Sequence, residues 1–139
     1  MVTAFETTHR IALAPDAVWT VLTDWSRAHE WMPGIDALVP DGPTAVGTTL
    51  RFTAHGRDRT STIAVLEPGA RLVLHSEAPG VIADYTYTLV AAGAGETDVT
   101  LVADVVTKGA MRPLGPTIRS SIAKADSVQL ERLAALLAA

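Results

Sequence analysis

The chain contains no cysteine. Disulfides, thiolate nucleophiles, cysteine-ligated zinc and iron–sulfur clusters are therefore excluded, and thiols say nothing about a redox compartment. Aromatic residues are scarce, at 5% of 139 residues, and charged residues make up only 19%. Basic side chains are in the minority: 11 Lys and Arg against 15 Asp and Glu give a formal charge of −4. An extended phosphate-binding surface does not fit that balance, so no nucleic-acid partner is expected. No apolar run approaches the roughly 18 residues of a membrane span, and the first ten residues alternate polar with apolar instead of forming a charged-then-apolar leader. A cytoplasmic protein without a membrane span is expected. P-loop, G-x-S-x-G and H-E-x-x-H patterns are missing, and Gly93-Ala94-Gly95 precedes a strand pattern, which disqualifies it as a dinucleotide fingerprint. The four histidines, at 9, 29, 55 and 75, have neither i,i+2 nor i,i+4 spacing, so no metal and no cofactor are expected.

What the chain does have is a hydrophobic content of 48%. A chain of this length buries about 70% of its unfolded surface, and a single domain spanning residues 1–139 is expected. Residues 3 to 13 alternate, with Phe5, Thr7, His9, Ile11 and Leu13 on one side, which predicts a strand. Pro15 and Asp16 suit the start of a short helix whose apolar positions are Val18, Val21, Leu22 and Trp25. A second short helix runs to about Met32 and is stopped by Pro33-Gly34. From Ile35 to about Thr107, turn chemistry recurs at Pro40-Asp41-Gly42-Pro43, His55-Gly56, Pro68-Gly69, Pro79-Gly80 and Gly93-Ala94-Gly95. The runs between them predict antiparallel strands at about 35–40, 47–55, 58–67, 70–77, 81–91 and 97–107, most with one apolar face. A helix is predicted over about 116–137, some 33 Å long. Its apolar stripe holds Ile118, Ile122, Ala125, Leu133 and Leu136, with the uncharged amide of Gln129 in the middle.

That order, with particular residues on particular elements, carries a resemblance. Ile11-Ala12-Leu13-Ala14-Pro15-Asp16-Ala17-Val18-Trp19 enters the first helix, and Leu22-Thr23-Asp24-Trp25 leaves it. His29 to Ile35, Gly47 with Leu50 and Phe52, Leu66-Glu67-Pro68-Gly69-Ala70-Arg71-Leu72, and Gly95 to Thr100 follow in order. The chain resembles the polyketide cyclase/dehydrase and lipid-transport family of the START and birch-pollen-allergen-like (SRPBCC) superfamily over its whole length. The resemblance implies an α+β helix-grip fold: a seven-stranded antiparallel sheet wrapped around a long C-terminal helix, with two short helices between the first two strands. It also implies an elongated apolar cavity between sheet and helix. A dry void of even ~300 Å³ would cost roughly 7 kcal/mol, comparable with a domain's whole stability, so such a space calls for an occupant or for local collapse.

The candidate site follows from strand faces and the resemblance together. Trp31, Leu50, Phe52, Ser61, Leu74, Tyr85, Tyr87, Leu89, Ile118, Ile122 and Gln129 are expected to line the ligand space. His9, Tyr85 and Tyr87 are the candidate proton-transfer groups, His9 because it shares a strand face with Phe5 and Ile11 and an imidazole titrates near neutrality. Trp31 is expected at the cavity mouth. Arg51, Arg57 and Arg59 flank the turn at 55–58, where a guanidinium turned inward would steady an enolate or carboxylate. The first functional reading is a module that binds a small hydrophobic or aromatic molecule, polyketide-like or lipid-like. The second is a cyclase, aromatase or dehydratase acting by acid–base chemistry in the same cavity, and the third is a co-chaperone-like or toxin-like protein-interaction role. A monomer or homodimer suits all three.

Overall fold

The computed structural model describes residues 2–138. Strand β1 (Val2–Ile11) leads through Pro15 into helix α1 (Pro15–Leu22), and a 3₁₀ helix follows at Trp25–Glu30. The strands are then β2 (Val39–Pro40), β3 (Thr49–Ala54), β4 (Arg57–Glu67), β5 (Arg71–Ala78), β6 (Val81–Ala91) and β7 (Thr97–Thr107). A 3₁₀ helix at Gly109–Leu114 precedes α2 (Gly115–Asp126) and α3 (Gln129–Ala138). The sheet has seven strands in the order β1-β7-β6-β5-β4-β3-β2, a meander whose last strand closes back onto the first. Every neighbouring pair is antiparallel. This is the helix-grip architecture. Among the described residues no helix is long and apolar enough to cross a membrane.

Alternation decides which face is buried. In β7, Thr97, Val99, Leu101, Ala103 and Val105 are buried while the residues between them are not. Cross-strand partners extend this apolar face in rows: Leu89–Val99–His9, then Tyr87–Leu101–Thr7, then Tyr85–Ala103–Phe5. The opposite face is polar, with Thr3 donating to Asp104 and His75 paired with Asp84. One end of the grip is filled solid. There Val18 and Leu22 of α1, Trp31, Leu72, Leu101, Leu130 and Leu133 are fully buried, each worth about 1.5–3 kcal/mol as an upper figure.

Two elements depart from expectation. The strand expected at 35–40 shrinks to Val39–Pro40 plus an isolated bridge between Ile35 and Ala54, because the proline-rich turn beyond it leaves little edge to pair. The unbroken helix expected over 116–137 is divided at Ser127–Val128. Asp126, Ser127 and Val128 are three consecutive residues of modest helix propensity, and the side chains flanking the break, Asp126 and Gln129, are tied to β6. Tertiary hydrogen bonds thus hold the helix where its own sequence is weakest.

Candidate functional site

Between the inner face of β3–β6 and the junction of α2 with α3 lies a cavity of about 700 Å³. Its walls are mainly apolar, from Ile35, Leu38, Leu50, Phe52 and Leu74 on one side and Ile122 and Ala125 on the other. It opens beside His55, Arg59 and Glu77, all three exposed.

Polar groups enter in a fixed order from the sheet's alternation. Tyr85 and Tyr87 are two residues apart on β6, so both project inward one row from each other. Their hydroxyls meet the two residues that flank the helix break: Tyr85 donates to Asp126 Oδ2, and Tyr87 donates to Gln129 Oε1 at 2.6 Å. Gln129 lies three residues beyond Asp126, close enough to favour the charged carboxylate. Two hydrogen bonds, one on each side of the break, therefore pin the helix to β6. On the sheet side, Ser61 and Ser76 share a hydrogen bond of 2.6 Å. Burial pushes the Asp126 carboxyl above the usual carboxylate range; the hydrogen bond from Tyr85, the neighbouring Gln129 amide and the charge of His55 oppose that shift without cancelling it. Burial also drives both phenols well above their ordinary value, with the Asp126 charge adding to it, so they remain protonated donors.

The residues expected from sequence divide by geometry. Leu50, Phe52, Ser61, Leu74, Tyr85, Tyr87, Ile122 and Gln129 line the cavity. Four others do not. Leu89 and His9 belong to the next row toward the filled end, roughly 7 Å beyond Tyr87 and outside the cavity lining. His9 lies there with its Nδ1 buried and without a hydrogen-bond partner in the structure, so its expected reach into the cavity is corrected. Trp31 is fully buried and packs edge-on against Tyr87, ring centroids 5.9 Å apart, which makes it part of the floor behind Tyr87 and not a gate at the mouth. Ile118 sits on α2 about one turn N-terminal to Ile122, past the end of the lining.

The sequence patterns do not single out Asp126 or His55 as site residues. For Asp126 a signal exists: it lies about 40° from Ile122 on a helical wheel and three residues from Gln129, on the border of the apolar stripe. For His55 none does. Alternation along β3 assigns it to the outer, polar face with Arg51 and Thr53, but it takes a left-handed conformation (φ 52°) in a two-residue turn with Gly56 (φ 75°). That turn swings the imidazole against Gly34, where an added Cβ would stand 3.3 Å from His55 Cε1.

Comparison with known proteins agrees with this architecture. No curated protein sequence matches the chain. Among solved structures, it is similar to the Zhui aromatase/cyclase from Streptomyces sp. R1128, with 19% identity, a TM-score of 0.75, and coverage of 96% of this chain and 92% of that one. It is also similar to the di-domain aromatase/cyclase StfQ of the steffimycin biosynthetic pathway, with 17% identity and a TM-score of 0.75, covering 99% of this chain and 51% of that one. Norcoclaurine synthase from Thalictrum flavum shares 16% identity at a TM-score of 0.71 over 96% of this chain and 85% of that one. At these identities the likeness concerns the fold. The family profile for polyketide cyclase/dehydrase and lipid transport matches residues 2–138, and the chain belongs to that family.

Proposed function

We propose that the cavity encloses a small molecule with an apolar or aromatic body and carbonyl oxygens, polyketide-like in character, and that Asp126 moves protons on it. The observation that carries this reading is a carboxyl, raised in pKa by burial, set against the Tyr85 phenol on the wall of a mainly apolar space. A carboxylate so placed is a stronger base than one in water, and its phenol partner carries the one O–H that can turn to a developing oxyanion once the carboxyl is protonated. The chemistry that fits is intramolecular aldol condensation. Asp126 takes a proton from a carbon between two carbonyls; the carboxyl, now neutral, releases the single O–H of Tyr85, which turns to the enolate oxygen. The enolate carbon then bonds to a second carbonyl carbon, and the new alkoxide takes up the proton. Loss of that hydroxyl with a neighbouring C–H hydrogen releases water and leaves a carbon–carbon double bond. The apolar walls hold the chain folded so that the reacting carbons stay in contact. A volume of about 700 Å³ falls in the range of ligand pockets. Membership of the family and the aromatase/cyclases among the fold relatives support the same reading.

A second reading, binding without turnover, is favoured by one observation: the cavity's polar groups already satisfy one another, Tyr85 with Asp126, Tyr87 with Gln129 and Ser61 with Ser76. One experiment separates the two. A linear aryl 1,3,5,7-tetraketone is incubated with the protein, and ring closure between C2 and C7 is followed by the appearance of an aromatic product lighter by one water. Binding of the neutral fluorescent probe N-phenyl-1-naphthylamine is measured alongside. Acceleration lost in Asp126→Asn, with probe binding kept, is the expected result. Equal rates for wild type, variant and buffer with the probe still bound leave the binding reading; no probe binding rejects both.

A further inference from the structure

Strands β4 and β5 do not pair along their full length. Their register runs from Glu67–Arg71 to Thr62–His75 and stops, although β4 continues to Arg57 and β5 to Ala78. Past that point the β4 residues 57–60 pair only with β3, and the β5 residues 76–78 only with β6. The last link across the seam is the Ser61–Ser76 hydroxyl bond. Where the strands part there is an outer groove of about 790 Å³ on the polar side of the sheet. Phe52, Arg59, Thr60, Glu77 and Ala78 line both this groove and the sheet–helix cavity, so the two spaces adjoin through the parted sheet.

Charge distinguishes the junction. Arg59 alternates with Ser61 and Ile63, both buried on the cavity side, so its guanidinium belongs to the inner face at the open end. Arg51 lines the groove alone. Neither arginine is in an ion pair among the described residues. Two carboxylates share the groove: Asp58, opposite Thr53 on its outer face, and Glu77, whose Oε1 is 3.8 Å from His75 Nε2. Three arginines, at 51, 57 and 59, thus crowd one hairpin of a chain whose net charge is −4. A guanidinium at the mouth of an apolar cavity with no carboxylate within ion-pair distance is arranged to receive an anion presented by whatever fills that cavity.

We propose that the junction is an anion subsite: the ligand is an amphiphile whose apolar or aromatic body lies in the cavity and whose carboxylate, or an anion of like charge, is held by Arg59 with Arg51 behind it. This rests on the reading of the sheet–helix space as a ligand cavity, and it adds that the ligand is charged at the end nearest the parted strands. The catalytic groups at Asp126 and Tyr85 then act on the body of the molecule while the junction fixes which end enters first.

The test uses two probes with one aromatic skeleton, 1-anilinonaphthalene-8-sulfonate, an anion, and N-phenyl-1-naphthylamine, its neutral counterpart. Both are titrated by fluorescence into the full-length wild type, Arg59→Gln and Arg51→Gln. Binding of the anion is expected to weaken by about three- to tenfold in Arg59→Gln, less in Arg51→Gln, with the neutral probe unchanged, and the anion's preference is expected to fade as salt is raised. Unchanged neutral binding also certifies that the variants are folded. An anion-to-neutral affinity ratio identical in all three proteins overturns the subsite while leaving the cavity reading intact, and so does an equal loss of both probes. Failure of the neutral probe to bind the wild type overturns the cavity reading and this one with it.

Discussion

Replacing Tyr87 by Phe isolates one hydrogen bond at the floor of the cavity. Tyr87 is 1% exposed and Gln129 4%, and the bond between them is 2.6 Å long. Tyr87→Phe keeps the ring and its edge-on contact with Trp31 but leaves Gln129 Oε1 buried without this donor, a loss of about 1–3 kcal/mol of stability. Gln129→Met strands the phenol hydroxyl in turn, at a similar cost, and also removes the amide beside Asp126. The double variant puts an apolar contact where both polar groups stood, so its cost is expected to fall short of the sum of the two single costs by roughly 1–2 kcal/mol. The lost Asp126 contact occurs in both the Gln129 single and the double variant and cancels in the cycle. Urea unfolding of the four proteins at one pH measures it. Single costs that add to within about 0.5 kcal/mol would show that the two side chains do not depend on each other, which would refute the pairing.

Three further outcomes follow from the same geometry. Because burial raises the Asp126 carboxyl above its ordinary value, the folded protein holds that proton more tightly than the unfolded chain; stability is therefore present below the unfolded pKa and is lost as pH climbs through the folded one. Asp126→Asn is accordingly expected to be more stable than wild type at pH 7, with the gap closing as pH falls toward about 4, and parallel unfolding profiles would contradict this. Gly80→Ala is expected to cost more than about 1 kcal/mol, since Gly80 has φ 76° and an added Cβ would lie 2.5 Å from Met111 Cγ; faster proteolysis within Gly109–Leu114 would report the loosened 3₁₀ helix. His9→Ala is expected to leave both probe affinity and ring-closure rate unchanged, because His9 lies one row outside the cavity, and a lost rate with intact folding would return it to the mechanism.

Much of the inner wall was legible because a strand's period of two is rigid. Once Tyr85 faces inward, Tyr87 does too, and β7 opposite them alternates without a break. The inward face says nothing about depth, however. Leu89 and His9 obey the same alternation as Tyr87 yet fall in the filled end, since where packing stops and space begins depends on how α1, Trp31 and α3 fill the grip. His55 escaped for a different reason: a left-handed turn takes a residue out of the strand's period altogether.

Element order, the apolar face of each strand, the meander and the C-terminal helical segment are readable along the chain, because they rest on local periodicities and turn residues that sequence neighbours enforce. That the helix breaks at Ser127–Val128 and that Asp126 meets Tyr85 emerges from packing across the grip. The same packing decides that β4 and β5 part beyond Thr62 and that Arg59 stands where two spaces adjoin. Those features are contacts between residues tens of positions apart, and their geometry is set by sheet curvature and helix placement, which no local pattern encodes.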